Sequence, residues 1–313
     1  MIHNSIIPGD GGVVVPIEVE PEVYVERIIN YGFTNNGVVC ICYGNGVFIG
    51  VGDDTTNYYS YSTDGIRWTN ATLPVSISCQ AQSLCYGDGK FVILSGSIGL
   101  YSTDGVNWTQ VTLPSSKGYY KVCYGNGIFF GVANDYTGTN TAIRSTDGIN
   151  WTQVTLPASK NWSALSYGAG KFVMLINSSP SVYYSTDGIT WKSTSTGYSG
   201  WWNHASYGGG KFVAMASNLT GYIYSTDGIT WRYNQSPDQV KLNRVWYCLG
   251  RFFAMPYNES SVIYYSTDAI AWNKLTMPEK KWLSACSNDN IAVFGIDTYS
   301  DKYCLEPTYK ELA

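Results

Sequence analysis

Short stretches of alternating apolar and polar residues run along most of this chain, and tight turns separate them. Leu165 precedes one such turn and Phe172 and Met174 follow it, at the spacing of two that indicates a half-buried strand. The stretches are bounded by Gly-x-Gly or Asp-Gly steps, which supply the positive φ angles that tight hairpins require. The pattern therefore predicts antiparallel strands joined by hairpin turns.

Two motifs alternate along the chain, each recurring roughly every 40 residues. The first, YGxGxF in its full form, follows Cys42, Cys85, Cys123, Ser166 and Ser206, and in decayed form Trp246 and Cys286. The second, STDG with a Trp three residues later, places its carboxylates at Asp64, Asp104, Asp147, Asp187, Asp227 and Asp268. Each unit thus contains two hairpins, which means four strands.

Four strands every 40 residues or so are typical of a β-propeller. We therefore expect an all-β, seven-bladed β-propeller of four-stranded antiparallel blades over residues 22–313, preceded by an extended arm at residues 1–21. The seventh unit lacks an STDG turn, while residues 22–29 alternate like a strand but belong to no unit. We expect these residues to close the ring by pairing with the C-terminal segment. The alternative is that the C-terminal sequence PTYKEL supplies that strand.

The STDG turns resemble the Asp-box, or bacterial neuraminidase repeat, with Asp and Gly adjacent and the turn one residue shorter. Propellers of this short form resemble those that bacteriophages encode in tails, fibres and other virion appendages. The resemblance implies a virion protein made in the bacterial cytoplasm, with a plain cytoplasmic protein as the alternative. It also implies that the arm at residues 1–21 attaches to other virion proteins, whereas composition is equally compatible with a disordered tail or a strap along the propeller.

The repeated turn itself is expected to be scaffold. Its carboxylate can accept backbone N–H bonds across the turn, Gly takes the left-handed position, and Trp packs on the hairpin. Ala269 replaces that Gly in the sixth copy and should strain its turn by roughly 1 kcal/mol. Function should therefore reside on the opposite face, where the loops vary between units.

Aromatic residues in the links between units are candidates for ligand binding, because flat rings beside amide and hydroxyl groups suit sugar faces. Those at repeated positions could instead pack between blades, whereas Tyr198, Tyr120 and Trp201 break the repeat and are the stronger candidates. The full aromatic set is Tyr119, Tyr120, Trp162, Tyr198, Trp201, Trp202 and Trp282.

Lys121, His204 and Arg244 occupy one repeat position on the innermost strands. They could form an anion-binding patch near a central channel, or they could be satisfied core or solvated channel residues. Acidic residues on the mid-blade loops form no convincing ligand set, so we expect neither a metal nor a cofactor.

The charge and the few arginines of the chain reduce the number of functions to be expected. The formal net charge is −4 and no basic run is present, so we expect neither nucleic-acid binding nor membrane insertion. The neuraminidase family clamps its substrate carboxylate with three arginines, and only Arg244 is expected on the variable face. We therefore predict a non-catalytic protein that binds a host-surface glycan or another virion protein. The alternatives are a glycosidase or sialidase-like enzyme and a purely structural docking propeller.

Overall fold

The computed structural model describes residues 23–29, 38–52, 56–79, 82–133, 138–296 and 302–307. The arm predicted at residues 1–21 lies outside this part of the chain. The first fourteen strands are β1 (Val23–Ile29), β2 (Val38–Gly44), β3 (Val47–Gly52), β4 (Thr56–Ser62), β5 (Thr69–Ile77), β6 (Leu84–Gly87), β7 (Lys90–Ser95), β8 (Ile98–Ser102), β9 (Thr109–Thr112), β10 (Tyr119–Gly125), β11 (Ile128–Ala133), β12 (Thr139–Ser145), β13 (Thr152–Lys160) and β14 (Trp162–Gly168). The others are β15 (Lys171–Ile176), β16 (Ser179–Ser185), β17 (Lys192–Gly200), β18 (Trp202–Gly208), β19 (Lys211–Ala216), β20 (Gly221–Ser225), β21 (Arg232–Gln235), β22 (Leu242–Cys248), β23 (Arg251–Pro256), β24 (Ser260–Ser266), β25 (Asn273–Lys280), β26 (Trp282–Ser287), β27 (Ala292–Ile296) and β28 (Lys302–Pro307). A 3-10 turn spans Pro237–Gln239.

These strands form four-stranded antiparallel sheets, and the protein is an all-β propeller. Six sheets are blades of four consecutive strands: blade 1 (β2–β5), blade 2 (β6–β9), blade 3 (β10–β13), blade 4 (β14–β17), blade 5 (β18–β21) and blade 6 (β22–β25). Counted as sheets of four consecutive strands, the propeller therefore has six blades, and the prediction of seven was wrong on this count, because the strands around the seventh motif copy do not form a blade of four consecutive strands. The remaining sheet, called here the composite sheet, has the order β1-β28-β27-β26. Its outer strand is β1, which pairs antiparallel with β28.

The innermost strands run in a circle. Each of β2, β6, β10, β14, β18, β22 and β26 contacts the next, and β26 contacts β2. The hydroxyl of Ser284 in β26 donates a hydrogen bond to the carbonyl of Val38 in β2 at 3.2 Å. The composite sheet therefore sits between blade 6 and blade 1.

The hydrophobic core lies between neighbouring sheets rather than inside any one of them. In one cluster, Phe130 and Val132 of blade 3 pack with Trp162, Phe172 and Met174 of blade 4. Equivalent clusters join the other neighbours, including blade 1 with the composite sheet. Because each sheet has two faces to bury, its strands carry apolar residues on both sides.

Two kinds of hairpin turn share one face of the disc, called here the repeated-turn face. Asn45 in the first hairpin turn of blade 1 donates its side-chain amide to the carbonyl of Thr103 in an STDG turn of blade 2. On the other face, the variable-loop face, mid-blade loops bond to inter-blade links, as when the Ser217 amide donates to the Trp201 carbonyl at 3.2 Å. The predicted separation into a repetitive and a variable face is present.

The STDG turns are held by their own side chains. In blade 3 the Asp147 carboxylate accepts backbone N–H bonds from Ile149 at 2.9 Å and Asn150 at 2.7 Å. The Ser145 hydroxyl donates to that carboxylate at 2.8 Å and accepts from the Gly148 amide at 2.8 Å. Each turn is thus satisfied internally, which is the arrangement expected of a scaffold. In the sixth copy, Ala269 adopts the left-handed backbone with φ 58°, as expected.

The first glycine of the YGxG motif is required for packing between blades and not, as predicted, for the geometry of the turn. Positive φ belongs to the next two residues, Asn126 and Gly127 in blade 3, and not to Gly125. Gly125 instead lies under the ring of Tyr167 from blade 4, where a Cβ would overlap the ring carbons. The same packing recurs between the other pairs, here called the Tyr–Gly contacts: Gly44–Tyr86, Gly87–Tyr124, Gly168–Tyr207 and Gly208–Tyr247.

Candidate functional site

Four of the predicted ligand-binding aromatics are buried, which corrects that prediction. Tyr119, Trp162, Trp202 and Trp282 are at most 2% exposed, so none of their rings can present a face to a sugar. The indole N–H of Trp162 donates to the Thr139 carbonyl of the preceding blade at 2.7 Å, and the indoles of Trp202 and Trp282 make the matching bond to the blade that precedes them. These residues pack between blades, the alternative that the sequence left open.

Tyr120 is half-buried. Its ring lies against Gly118, and its hydroxyl end reaches toward Gly96 in a loop of blade 2. Its backbone carbonyl accepts a hydrogen bond from the Ser83 hydroxyl at 2.9 Å. Tyr120 therefore helps to join blades 2 and 3, and only part of its ring is available to a ligand.

Trp201 and Tyr198 are the predicted residues that the structure leaves exposed, at 52% and 45%. Both lie at the link from β17 to β18, on the boundary between blades 4 and 5. The backbone of Trp201 is fixed on both sides, because its N–H donates to Asn218 Oδ1 at 2.7 Å and its carbonyl accepts from Ser217. A rigid backbone with a solvent-exposed indole is a suitable anchor for a ligand.

Tyr233 of β21 completes this surface, and sequence reasoning missed it. Its ring stacks on that of Tyr198, with centroids 4.5 Å apart and an interplanar angle of 25°. The two residues belong to different blades and are 35 positions apart (233 minus 198), so no local pattern could pair them. Tyr198, Trp201 and Tyr233 are called the aromatic patch below.

Lys121, His204 and Arg244 do share one level of the inner ring, as predicted. They follow the bulge near the start of β10, β18 and β22, where they pair with Val132, Met215 and Met255. Lys121 is 5% exposed and His204 is 3% exposed, while Arg244 is half-buried. Arg244 donates to the Leu283 carbonyl of the composite sheet. These three residues are called the channel cluster.

The electrostatics of the channel cluster are those of crowded positive charge. Burial and, to a smaller extent, the Arg244 guanidinium together lower the pKa of the Lys121 ammonium to about 8. Burial also lowers the pKa of His204 well below its usual value, helped by the charges of Lys121 and Arg244. Because blades 3, 5 and 6 all contribute, these side chains act on one another across the ring. His204 is therefore neutral at neutral pH.

Gln82 crosses the same space and was missed by the sequence reasoning. Its side-chain N–H groups donate to the carbonyls of Leu165 in blade 4 at 2.7 Å and Ala205 in blade 5 at 3.2 Å. Its Oε1 is buried without a hydrogen-bond partner. A link residue that spans the ring leaves no periodic signal in the sequence.

Comparisons with known proteins show the fold and no family. No protein-family model matches the chain, and no curated protein matches it. Virginiamycin B lyase from Staphylococcus aureus superposes with a TM-score of 0.72 at 13% identity, covering 89% of this chain and 98% of its own. YCF48 bound to a D1 peptide gives 0.67 at 13% identity, covering 95% and 98%. The Pan2 WD40 domain of Neurospora crassa gives 0.67 at 8% identity, covering 88% and 90%.

These findings correct the resemblance drawn from the STDG turns. The matching structures are a lyase, a peptide-bound YCF48 and a WD40 domain, and assignment to phage Asp-box propellers is not upheld. Identities of 8 to 13% show a common propeller architecture alone. A virion location has no support from these structures.

A metal site or a substrate clamp needs several suitable side chains close together. The described residues contain no group of three or more His, Cys, Asp or Glu side chains that could hold a metal ion. No helix among them is long and apolar enough to cross a membrane. Arg67 pairs with Asp64 at 3.0 Å in an STDG turn, whereas Arg244 lies on an innermost strand and donates to the Leu283 carbonyl. Because one matching structure is an enzyme, the absence of activity stays a prediction.

Proposed function

We propose that this propeller is a non-catalytic recognition module that binds a protein partner through its variable-loop face. The observation that carries the proposal is the aromatic patch. Trp201 and Tyr198 are large, exposed and close in the chain, and Tyr198 is stacked on Tyr233. Interface anchors in proteins are enriched in Trp and Tyr, which bury much area at little cost in side-chain entropy.

The position of the patch supports this proposal. It sits where an inter-blade link meets a mid-blade loop, and the propeller holds both in place. The repeated-turn face has exposed apolar residues too, such as Ile189 at 54%, but its carboxylates are engaged within their own turns. A propeller of the same architecture, YCF48, has been solved with a peptide bound. A glycan ligand stays the alternative, because stacked tyrosines beside a tryptophan also suit sugars.

A display selection tests the proposal. The full chain is used to select binders from a random peptide library, and the chain is applied in parallel to a glycan array. We expect recovered peptides to bind Trp201→Ala about thirty-fold more weakly than wild type, as for an interface anchor. Ile189→Ala is the matched control, since it removes an equally exposed side chain from the opposite face.

Two results would contradict the proposal. Peptides that bind Trp201→Ala as tightly as wild type would remove the patch from the site. A glycan that binds in a Trp201-dependent way, with no peptide recovered, would show that the partner is carbohydrate. Turnover of a glycoside during the array experiment would favour the enzyme alternative.

A further inference from the structure

Lys121 of the channel cluster carries a buried positive charge, and no carboxylate among the described residues acts on it. Lys121 is 5% exposed, and no hydrogen bond or ion pair of its ammonium occurs within the described ranges. The same level of the neighbouring inner strands holds Cys40, Ala164 and Ser284; of these three only Cys40 is ionisable, and burial and Arg244 lower the pKa of Lys121 by more than the Cys40 thiol raises it.

His204 adds a second unsatisfied group. It is 3% exposed, and neither ring nitrogen has a partner of full hydrogen-bond geometry. Burial lowers the pKa of His204, although the backbone of Val245 lies near enough to raise it by a smaller amount. One face of its ring is covered by Trp246, whose centroid is 4.3 Å away. Buried polar atoms in native proteins are nearly always paired, so two such groups at one level point to a missing ligand or water.

Gln82 places an acceptor beside these donors. Its amide N–H groups are used on Leu165 and Ala205, and Ala205 directly follows His204 in β18. Its Oε1 is left without a partner. A ligand that carries an anionic oxygen next to an N–H group would satisfy both Lys121 and Gln82.

We propose that the channel cluster binds an oxyanion at the centre of the ring, with Lys121 and Arg244 as its charged partners. A buried ammonium is costly unless an opposite charge accompanies it. An oxyanion would supply that charge, and Arg offers a planar set of donors for it. The oxyanion is either a free small molecule or a carboxylate of the bound partner. The site is independent of the aromatic patch.

NMR of the histidine rings tests the proposal directly, because the chain has only two histidines, His3 and His204. The variant His3→Gln identifies the resonances of His3, so the remaining ones belong to His204. Sulfate, phosphate and acetate are each titrated into the full-length protein against chloride at equal ionic strength. We expect at least one of these anions to shift the His204 ring resonances saturably and to raise the pKa of His204. A concentration of 50 mM is about six times a Kd of 8 mM, and that Kd corresponds to roughly 2.9 kcal/mol of binding. If none of the three anions shifts the wild-type resonances at about 50 mM, the proposal is overturned.

Variants locate the site. Lys121→Met and Arg244→Met should each weaken binding about ten-fold or more, as for the loss of a charged hydrogen bond. Lys90→Met, which removes a half-buried lysine paired with Asp88, should not. Trp201→Ala should also leave anion binding unchanged, so the failure of one proposal is distinguishable from the failure of the other. Equal binding by wild type and Lys121→Met would refute the assignment.

The chemistry next to the oxyanion and the pH dependence supply further checks. N-acetylglycine should bind more tightly than acetate, and Gln82→Leu should abolish the difference; the lack of any difference in wild type would remove Gln82 from the site. Arg244 and Cys40 are the titratable groups that act on Lys121, and Lys121 in turn acts on His204. Binding should weaken as pH rises above about 8 and Lys121 loses its proton, and Lys121→Met should lose this dependence while Cys40→Ser keeps it. If a peptide from the display selection competes with sulfate, the oxyanion belongs to the partner.

Discussion

The Tyr–Gly contacts predict that one added methyl group should destabilise the ring. In Gly125→Ala, the new Cβ would lie well under 3.0 Å from the ring carbons of Tyr167, closer than real Cβ atoms come. Tyr167 cannot swing away freely, because its ring also packs on Phe172 with centroids 4.8 Å apart. We expect a loss of about 3 kcal/mol in the free energy of unfolding, at the upper end for overpacking.

The matched control is Gly127→Ala, two residues along the same hairpin. Gly127 has φ +72° and no heavy atom within 4 Å of an added Cβ, so only backbone strain of about 1 kcal/mol is expected. Urea unfolding followed by tryptophan fluorescence measures both variants. If Gly125→Ala loses no more stability than Gly127→Ala, the contact does not constrain the ring.

The protein itself suggests the rescue. In blade 6 the glycine position is Cys248, and the tyrosine position of the following sheet is Ser287, whose hydroxyl accepts a hydrogen bond from the Leu249 amide at 3.1 Å. A larger residue thus occurs where the ring is missing. Combining Gly125→Ala with Tyr167→Ser should therefore cost at least about 1 kcal/mol less than the sum of the two single changes. Strict additivity would refute the steric explanation.

Three further predictions concern the turns and the buried aromatics. Asp187→Ala should cost about 1 kcal/mol at pH 7, because it removes an acceptor for the Ile189 and Thr190 amides at 2.8 and 2.7 Å on an exposed turn. Burial raises the pKa of Asp187, but those amides outweigh it and lower the pKa to about 2, so this stabilisation is present above pH 4 and is lost as pH falls toward 2. Denaturation of wild type and of Asp187→Ala at pH 7 and pH 2 checks this. A difference in the free energy of unfolding that persists at pH 2 would contradict it. Ala269→Gly should raise stability by about 0.5–1 kcal/mol by relieving the left-handed backbone at φ 58°, and a lower thermal midpoint would show that packing of its Cβ matters more. Trp162→Phe should cost about 2 kcal/mol by leaving the Thr139 carbonyl without its indole donor, whereas Trp201→Ala should change stability by less than about 0.5 kcal/mol; equal losses in chemical denaturation would mean that the two tryptophans do not differ in role.

Much of the fold could be predicted from sequence because its determinants are local. Alternation of apolar residues and the Asp-Gly steps act within one hairpin, so strands and turns follow from them. The Tyr–Gly contacts could not be predicted, because Gly125 and Tyr167 meet only when two blades pack. For the same reason Gly125 was assigned to turn geometry that Asn126 and Gly127 provide.

The candidate site was less predictable, for a related reason. Trp201 and Trp202 are neighbours in sequence, yet one is 52% exposed and the other is fully buried. Which of the two side chains is buried depends on which one faces the adjacent blade. That Trp201 breaks the repeat was the useful signal, since repeated positions serve packing. Gln82 and Tyr233 have partners in other blades and gave no signal at all.

The composite sheet has a consequence for how the chain acquires its structure. Val23 is paired with Pro307, 284 positions later (307 minus 23), so this sheet cannot be completed until nearly all of the described chain has been synthesised. Contacts this distant in sequence form late, because the loop between them must first be ordered. During translation the early blades must therefore persist while the flank of blade 1 that later packs against the composite sheet is still uncovered. A chaperone or a neighbouring nascent chain would meet the protein at that flank.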